Sequence, residues 1–289
     1  MNRRPWVGGS FFMVDEQPKI GLSLSGGGAR CAAHLGILTA LEEANLKPDR
    51  LVGVSSGALV GALYAAGKTP IEIRDLLKQG SLFKLFGFGI PSRGLTSLNY
   101  LRKRMLDALG QEVMMEELEL PFHVGITNLN TGELEMRHTG NLIDTVCASC
   151  AIPFVFKPVE IDGQQFADGG IVCNMPIEPL QTNDDIDIVI GANLISASNL
   201  GPADLSSIWG IMWRSFDLSM IANTAPALQA CDFTFEPQDL NQYNIFAFSK
   251  TDEMYEVGYQ YATGRVTDLR KYIRESRTKT LETRLLRKL

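Results

Sequence analysis

The chain has 289 residues, of which 45% are hydrophobic and 21% are charged. These proportions are typical of globular proteins and exclude collagen-like and intrinsically disordered chains. The net charge of −6 disfavours nucleic-acid binding. No apolar stretch reaches the roughly 18 to 20 residues of a membrane-spanning helix, and the first 16 residues lack the apolar run of a secretory signal. We expect an N-terminal extension over residues 1–18 and a single domain over 19–289, mainly helical from about residue 204.

The five cysteines are an odd number and lie apart in segments that otherwise resemble core. This distribution favours reduced thiols and a cytoplasmic location. Cys147 and Cys150 form a C-x-x-C pair, but the second pair that would complete a zinc site is missing. We therefore expect no metal and no cofactor.

The first 67 residues predict a strand, a turn, a helix, a second strand and a second helix. An Ile- and Leu-rich run over 19–25 ends at three glycines, after which apolar residues recur at helical spacing as far as Ala44. An apolar strand over 50–54 precedes a helix from about Gly57 to Gly67. This βαβ order predicts parallel strands with helices covering the sheet.

The remaining chain continues the alternation of helices and strands. We predict helices over 70–79, 98–109 and 141–151, and strands over 122–127, 133–137, 159–161 and 186–192. Beyond Ser206 the pattern is mainly helical, with one candidate strand over 245–248. The whole pattern predicts an α/β fold with a mainly parallel sheet.

A candidate nucleophile lies at the turn between the second predicted strand and helix. Residues 53–57 fit the pattern G-x-S-x-G, in which Gly53 and Gly57 allow the sharp turn of a nucleophile elbow. Such a turn holds Ser55 at the start of a helix, where backbone N–H groups favour developing negative charge. The pattern alone is common in βα turns, but its position here favours a catalytic serine.

The base that would activate this serine is not an obvious histidine. His34, His123 and His138 all precede Asp168, so the usual α/β-hydrolase order of serine, acid and histidine cannot be completed. We expect the histidines to be structural. A buried carboxylate can serve as the base if burial raises its pKa, and Asp168 of an Asp-Gly-Gly sequence is the candidate. The alternative for Asp168 is an ordinary turn.

The turn over residues 26–30 supplies candidate donors for an oxyanion. Its three glycines and Arg30 place unobstructed N–H groups at the beginning of a helix. The alternative is a dinucleotide-binding loop of the form G-x-G-x-x-G, which would require a glycine where Cys31 stands.

Taken in order, the Gly-Gly-Gly-x-Arg turn, the G-x-S-x-G turn and the Asp-Gly-Gly sequence resemble the patatin-like phospholipase family. The residues around 148–153 and the Asn-x-Pro at 174–176 also resemble its pattern. The resemblance implies a three-layer α/β/α sandwich and lipid acyl-ester hydrolysis. It assigns residues as follows: a catalytic dyad of Ser55 and Asp168, and an oxyanion hole of Gly26, Gly27, Gly28 and Arg30. Two positions depart from the family pattern, Cys31 and Phe154, where glycine is usual.

The resulting expectation is a serine lipid acyl hydrolase, of phospholipase A or lysophospholipase type, that forms an acyl-enzyme at Ser55. One alternative is a non-catalytic lipid-binding or regulatory protein on the same fold. Another is an acyltransferase, because the family fold resembles the carrier-protein acyltransferases. Those enzymes use a histidine partner where Asp168 stands here.

Two segments are candidates for contact with lipid. The Phe-rich segment 81–97, with Phe83, Phe86 and Phe88, either caps a lipid pocket or packs on the core. The stretch 265–289 carries nine Lys and Arg against three Asp and Glu, a charge of +6. It either rests on anionic headgroups at the inner membrane surface or forms a solvated helix. The expected partner is a lipid or lysolipid substrate, and the oligomeric state is left open.

Overall fold

The computed structural model describes residues 17–78, 96–196 and 205–286. The strands are β1 (Ile20–Leu24), β2 (Arg50–Val54), β3 (Phe122–Asn128), β4 (Leu134–Arg137), β5 (Val159–Ile161), β6 (Gln164–Asp168), β7 (Ile188–Ala192) and β8 (Phe233–Phe235). The α-helices are α1 (Ala32–Glu43), α2 (Ser56–Ala65), α3 (Pro70–Lys78), α4 (Asn99–Leu109), α5 (Leu142–Ser149), α6 (Glu178–Gln181), α7 (Ile208–Ala230) and α8 (Thr251–Leu286).

Within the described residues, all eight strands belong to one mixed sheet. Five of them run parallel in the order β3, β2, β1, β7, β8. The other three, β4, β5 and β6, add antiparallel pairs at the β3 end. The predicted α/β fold with a mainly parallel sheet is therefore confirmed.

Helices cover both faces of this sheet. Leu51 and Val52 are neighbours on β2 but belong to two different buried clusters, and the same is true of Ile188 and Val189 on β7. Because successive side chains of a strand point to opposite faces, the two clusters lie on opposite sides of the sheet. The larger cluster includes residues of α1, α2 and α8, and the smaller one includes Leu180 of α6. The layers are therefore helix, sheet and helix, as expected.

One predicted strand is wrong. Residues 245–248 form a turn that leads into a 3-10 helix over Phe248–Lys250. The Asn244 side chain accepts a hydrogen bond from the Phe246 N–H at 2.9 Å, which is an Asx turn that competes with strand formation. Ile245 O accepts from the Ala29 N–H at 2.7 Å, so this segment instead packs against the glycine-rich turn.

Two strands were not predicted. β6 contains only Phe166 and Ala167 as apolar residues, and it is ordered by pairing with β3 and β5. β8 has only three residues and extends the parallel sheet beside β7. Both strands depend on partners distant in the chain, which local periodicity does not reveal.

Candidate active site

Ser55 is the single residue between β2 and α2. Its backbone has φ 54° and ψ −125°, a positive φ that few residues other than glycine adopt. A Cβ on Gly57 would lie 2.3 Å from Leu24 O, and one on Gly53 would lie 2.7 Å from Gly57 O. Gly57 therefore allows the turn to pack closely against β1, and Gly53 allows β2 to pack closely against the start of α2. This packing holds Ser55 in a strained conformation.

Ser55 and Asp168 are brought together by two strands that end against each other. Val54 of β2 pairs with Gly125 of β3, and the next residue of β3, Ile126, pairs with Asp168 of β6. Gly125 and Ile126 also pair with β4, which therefore lies along the opposite edge of β3. β2 and β6 consequently lie one after the other along the same edge of β3. Because β2 runs parallel and β6 antiparallel to β3, their carboxyl ends meet.

The two side chains form a short hydrogen bond. Ser55 Oγ donates to Asp168 Oδ2 at 2.6 Å, and the residues are only 8% and 2% exposed. Asp168 Oδ1 accepts from the Gly170 N–H at 2.8 Å. Burial raises the pKa of Asp168 to about 6, although the hydrogen bonds from Ser55 and Gly170 act in the opposite direction. Asp168 is therefore a stronger base than an exposed aspartate and is still ionised at neutral pH.

The end of α5 anchors both members of this pair. Ser149 Oγ accepts from the Ser55 N–H at 2.8 Å and donates to Gly125 O at 2.7 Å. Two residues further on, Ala151 O accepts from the Asp168 N–H at 3.0 Å. Sequence reasoning did not assign this role to Ser149, because nothing local to residue 149 shows that it reaches the turn at Ser55.

The glycine-rich turn lies beside Ser55, and two of its three glycine amides are already used. The Gly26 N–H donates to Asn174 O at 3.3 Å, and the Gly27 N–H donates to Ser56 Oγ at 3.0 Å. The Gly28 N–H donates to no described residue. Of the three predicted glycine donors, the amide of Gly28 is therefore the one that is available to a ligand in this structure.

Arg30 is held by hydrogen bonds to backbone carbonyls on both sides of the glycine-rich turn. Its guanidinium donates to Tyr243 O at 2.8 and 3.0 Å and to Leu194 O at 3.3 Å. Its N–H donates to Gly27 O at 3.2 Å. These bonds tie Arg30 to protein carbonyls beside the glycine-rich turn, and its part in the oxyanion hole stays a prediction.

None of the three histidines, all of which are described, hydrogen-bonds to Ser55 or Asp168. His34 is buried in α1 with Nε2 2.9 Å from Ser25 O, and burial lowers its pKa to about 4. His123 lies on β3 and stacks on His138 with ring centroids 4.9 Å apart. Burial, and then the charge of His138, lower the pKa of His123 to about 4.

Two narrow recesses meet at Ser55 and share Gly28 and Ile152 as lining residues. The first has a volume of about 20 Å³ and is lined by Asp168. Its remaining lining residues are Gly26, Gly27, Ile195, Trp213, Phe216, Met220, Ile245 and Phe246. The second has a volume of about 40 Å³ and is apolar. Its remaining lining residues are Cys31, Ser56, Leu59, Leu98, Leu101, Cys150, Phe156 and Phe248.

The two departures from the family pattern lie close to these recesses. Cys31 lines the apolar recess, and burial raises the pKa of its thiol to about 12, so it is uncharged at neutral pH. Phe154 follows Ile152 by two residues, has φ 69° and is 59% exposed. Glycine adopts that backbone conformation without strain, which gives a physical reason for its use in the family pattern.

The Phe-rich segment, apart from Thr96 and Ser97, lies outside the described residues, and its role as lid or core stays a prediction. In the parts of the chain that are described, no group of three or more His, Cys, Asp and Glu side chains could hold a metal ion. No helix in those same parts has both the length and the apolar character needed to cross a bilayer.

The fold and the site define a class: an α/β protein with a serine and a buried aspartate paired at the carboxyl ends of two strands. Residues 22–180 match the family model described as Patatin-like phospholipase. This match covers more than half of the chain, which therefore belongs to the patatin-like phospholipase family.

Two individual relatives show moderate sequence identity to the chain. The chain is 33% identical over 189 residues to an uncharacterized NTE family protein of Mycobacterium bovis, and this alignment covers 64% of the chain and 51% of that protein. It is 27% identical over 277 residues to lysophospholipase nte1 of Emericella nidulans, covering 84% of this chain and 18% of that protein. The chain thus spans about half or less of the length of these curated relatives.

A solved complex of ExoU and SpcU from the type III secretion system of Pseudomonas aeruginosa is similar in fold. Its TM-score is 0.50 at 16% sequence identity, and the match covers 90% of this chain and 52% of that chain. At this identity the likeness supports the fold alone.

Proposed function

We propose that this protein is a serine lipid acyl hydrolase that cleaves carboxylic esters through an acyl-enzyme on Ser55, with Asp168 as the general base. The observation that carries the proposal is the 2.6 Å hydrogen bond from Ser55 Oγ to the buried Asp168 carboxylate. The strained turn that presents Ser55 and the raised pKa of Asp168 support it.

In the proposed reaction, Ser55 Oγ attacks the ester carbonyl carbon while its proton passes to Asp168 Oδ2. The tetrahedral intermediate collapses, the bond to the alcohol breaks, and the leaving alkoxide takes that proton from Asp168. A water molecule then attacks the acyl-serine and gives its proton to Asp168. Breakdown of the second intermediate releases the fatty acid and returns the proton to Ser55.

The oxyanion formed in both steps requires a donor beside Ser55. The Gly28 N–H is the member of the predicted oxyanion hole that donates to no described residue, and Gly28 lines both recesses. The start of α2, immediately after Ser55, adds the positive end of a helix dipole. We therefore assign the Gly28 amide as the principal donor, with Gly26 and Gly27 shaping the turn.

The two recesses suggest how a lipid ester is oriented. The lining of the apolar recess is suited to an acyl chain, and the recess that contains Asp168 would receive the leaving alcohol. A volume of about 40 Å³ holds no more than a few water molecules, so side chains such as Leu101 must move for a chain to enter. We propose lysophospholipids and phospholipids as the substrate class, which agrees with the lysophospholipase names among the relatives.

Product analysis tests the proposal. Purified protein is incubated with defined phospholipids and lysophospholipids, and products are identified by mass, with the Ser55→Ala variant as control. Release of free fatty acid by the wild type and not by the variant is the expected result. Intact lipid after prolonged incubation would indicate a binding protein, and transfer of the acyl group to an added thiol in preference to water would indicate an acyltransferase.

A further inference from the structure

Asn223 of α7 lies outside residues 22–180, which match the family model, yet it hydrogen-bonds to the segment that follows Asp168. Its Oδ1 accepts from the Asn174 N–H at 2.9 Å, and its Nδ2 donates to Gly170 O at 2.9 Å. Nδ2 also lies 3.4 Å from Ile171 O. One side chain therefore spans residues 170–174, with both polar atoms of its carboxamide paired.

The bridged segment needs external support because it begins at the second of two consecutive glycines. Gly169 and Gly170 have no side chains, and glycine is the residue with the greatest backbone freedom. The Gly170 N–H is also the donor to Asp168 Oδ1. Movement of Gly170 would therefore turn the carboxylate that accepts from Ser55.

The other end of the bridged segment touches the glycine-rich turn. Asn174 is fully buried, and its carbonyl accepts from the Gly26 N–H at 3.3 Å. A Cβ on Gly26 would lie 2.5 Å from Asn174 Oδ1 and 3.1 Å from Ser55 Cβ, so these groups are closely packed. A displacement of the segment at Asn223 would thus reach the turn beside the nucleophile as well as the base.

Asn223 shares one face of α7 with residues that line the recess at Asp168. Trp213, Phe216, Met220 and Asn223 follow one another at spacings of three, four and three residues, which places them along one side of a helix. The first three line that recess. Asn223 is the polar member of this stripe, which is a sequence signal that could have identified it.

We infer that Asn223 is a positioning residue of the active site: it holds residues 170–174 so that the Asp168 carboxylate faces the Ser55 hydroxyl. It contacts neither of those two groups itself, and the inference rests on the function proposed above. Helix α7, which lies beyond the residues that match the family model, thereby contributes to the alignment of the base as well as to the lining of the recess.

The test compares Asn223→Ala with Thr224→Ala. Thr224 is the next residue and is buried. Its replacement by alanine removes a hydrogen bond within the helix, from Oγ1 to Met220 O at 2.7 Å. We measure hydrolysis of a soluble short-chain nitrophenyl ester and inactivation by an alkyl fluorophosphonate, which depends on attack by Ser55. Asn223→Ala should lower kcat and the first-order inactivation constant about 10- to 100-fold, with KM and inhibitor affinity within about twofold. Thr224→Ala should leave all four near wild type.

Asn223→Leu keeps the size of the side chain and suits a helix, so it serves as the second variant if Asn223→Ala does not fold. Its kcat and inactivation constant should fall to a similar extent. If either folded Asn223 variant matches Thr224→Ala in kcat and inactivation rate, Asn223 is only structural and the inference is overturned. If the wild type neither hydrolyses esters nor is labelled at Ser55, the proposed function fails first and this inference falls with it.

Discussion

Residues 22–180 and residues 205–286 contribute to one site in different ways. The first region carries Ser55, Asp168 and the glycine-rich turn, each next to a strand of the sheet. The second region contains none of these motifs, yet its residues Trp213 and Phe216 line the recess at Ser55 and Asp168. The proposed catalytic groups lie in short segments of the first region, whereas the shape of the recess around them depends on packing between distant parts of the chain. The two regions should therefore respond differently to mutation.

The largest expected effect is in the first region, at Ser55. Ser55→Ala removes the attacking oxygen from a turn whose backbone is shaped by Gly53 and Gly57, so the fold should persist. We expect turnover of lipid esters to fall by about four or more orders of magnitude. Initial rates together with a thermal unfolding curve check this, and Thr224→Ala, which removes a buried hydroxyl that is bonded within its own helix, is the control. Substantial activity in a folded Ser55→Ala protein would remove this residue from the mechanism.

The next effect concerns the base. Asp168→Asn keeps the shape of the side chain but cannot accept the serine proton, so kcat/KM should fall about 10²- to 10⁴-fold. His34→Ala, His123→Ala and His138→Ala should show no comparable loss beyond what their stability explains. Measurement of kcat/KM for the four variants distinguishes the dyad from a triad. A folded histidine variant as inactive as Asp168→Asn would contradict a mechanism without histidine.

The pH dependence follows from the same carboxylate. Only the ionised form of Asp168 can take the proton, and burial raises its pKa to about 6. We therefore expect kcat/KM of the wild type to rise with pH through about 6 and to level off above it. A profile measured from pH 4 to 9 on a soluble ester checks this, and activity independent of pH between 4 and 7 would argue against Asp168 as the base.

A smaller effect should separate the two recesses. Leu101 on α4, in the first region, lines the apolar recess, whereas Phe216 on α7, in the second, lines the recess at Asp168. Leu101→Trp should lower activity on long acyl chains about tenfold relative to short ones, because it fills the space for the chain. Phe216→Ala should leave this ratio unchanged. Rates on esters of increasing acyl length check both variants, and an equal loss at every length in Leu101→Trp would reject the assignment.

The last effect is on stability, which substitution of the Asp168 carboxylate should raise although it lowers the rate. The pKa of Asp168 is higher in the folded protein, so its proton stabilises the fold at low pH, and that stabilisation is lost as pH rises from about 4 through 6. Asp168→Asn should therefore be more stable than the wild type at pH 8, by up to about 3 kcal/mol, and close to it near pH 4. Urea unfolding of both proteins at pH 4 and pH 8 tests this. The prediction is contradicted if the stability of Asp168→Asn minus that of the wild type is smaller at pH 8 than at pH 4.

Much of the fold could be predicted because its signals are local. The sequence places β2 and β5 at their observed bounds and β1 within one residue at each end, since each is a short apolar run with a clear boundary. β6 and β8 were missed because their order depends on distant partners. The error at 245–248 arose because apolar composition was weighed above the turn-forming Asn244.

The candidate site likewise contains residues that local motifs predict and residues that only long-range contacts reveal. Ser55 and Asp168 could be selected from motifs, but their contact depends on the register of β2 and β6 along β3, which no motif contains. The hydrogen bonds of Arg30 could not be predicted, because its carbonyl partners Tyr243 and Leu194 lie far along the chain. Ser149 and Asn223 were not found, because each acts through hydrogen bonds to backbone distant in sequence.

The central claim, that Ser55 is a nucleophile activated by Asp168, is tested most directly by mapping a fluorophosphonate adduct. Wild type, Ser55→Ala, Ser56→Ala and Asp168→Asn are treated at pH 8, digested and analysed by mass spectrometry. We expect one adduct on Ser55 in the wild type and in Ser56→Ala, none in Ser55→Ala, and adduct formation slowed about 100-fold or more in Asp168→Asn. An adduct on another residue, or labelling of Ser55 at an undiminished rate in Asp168→Asn, would contradict it.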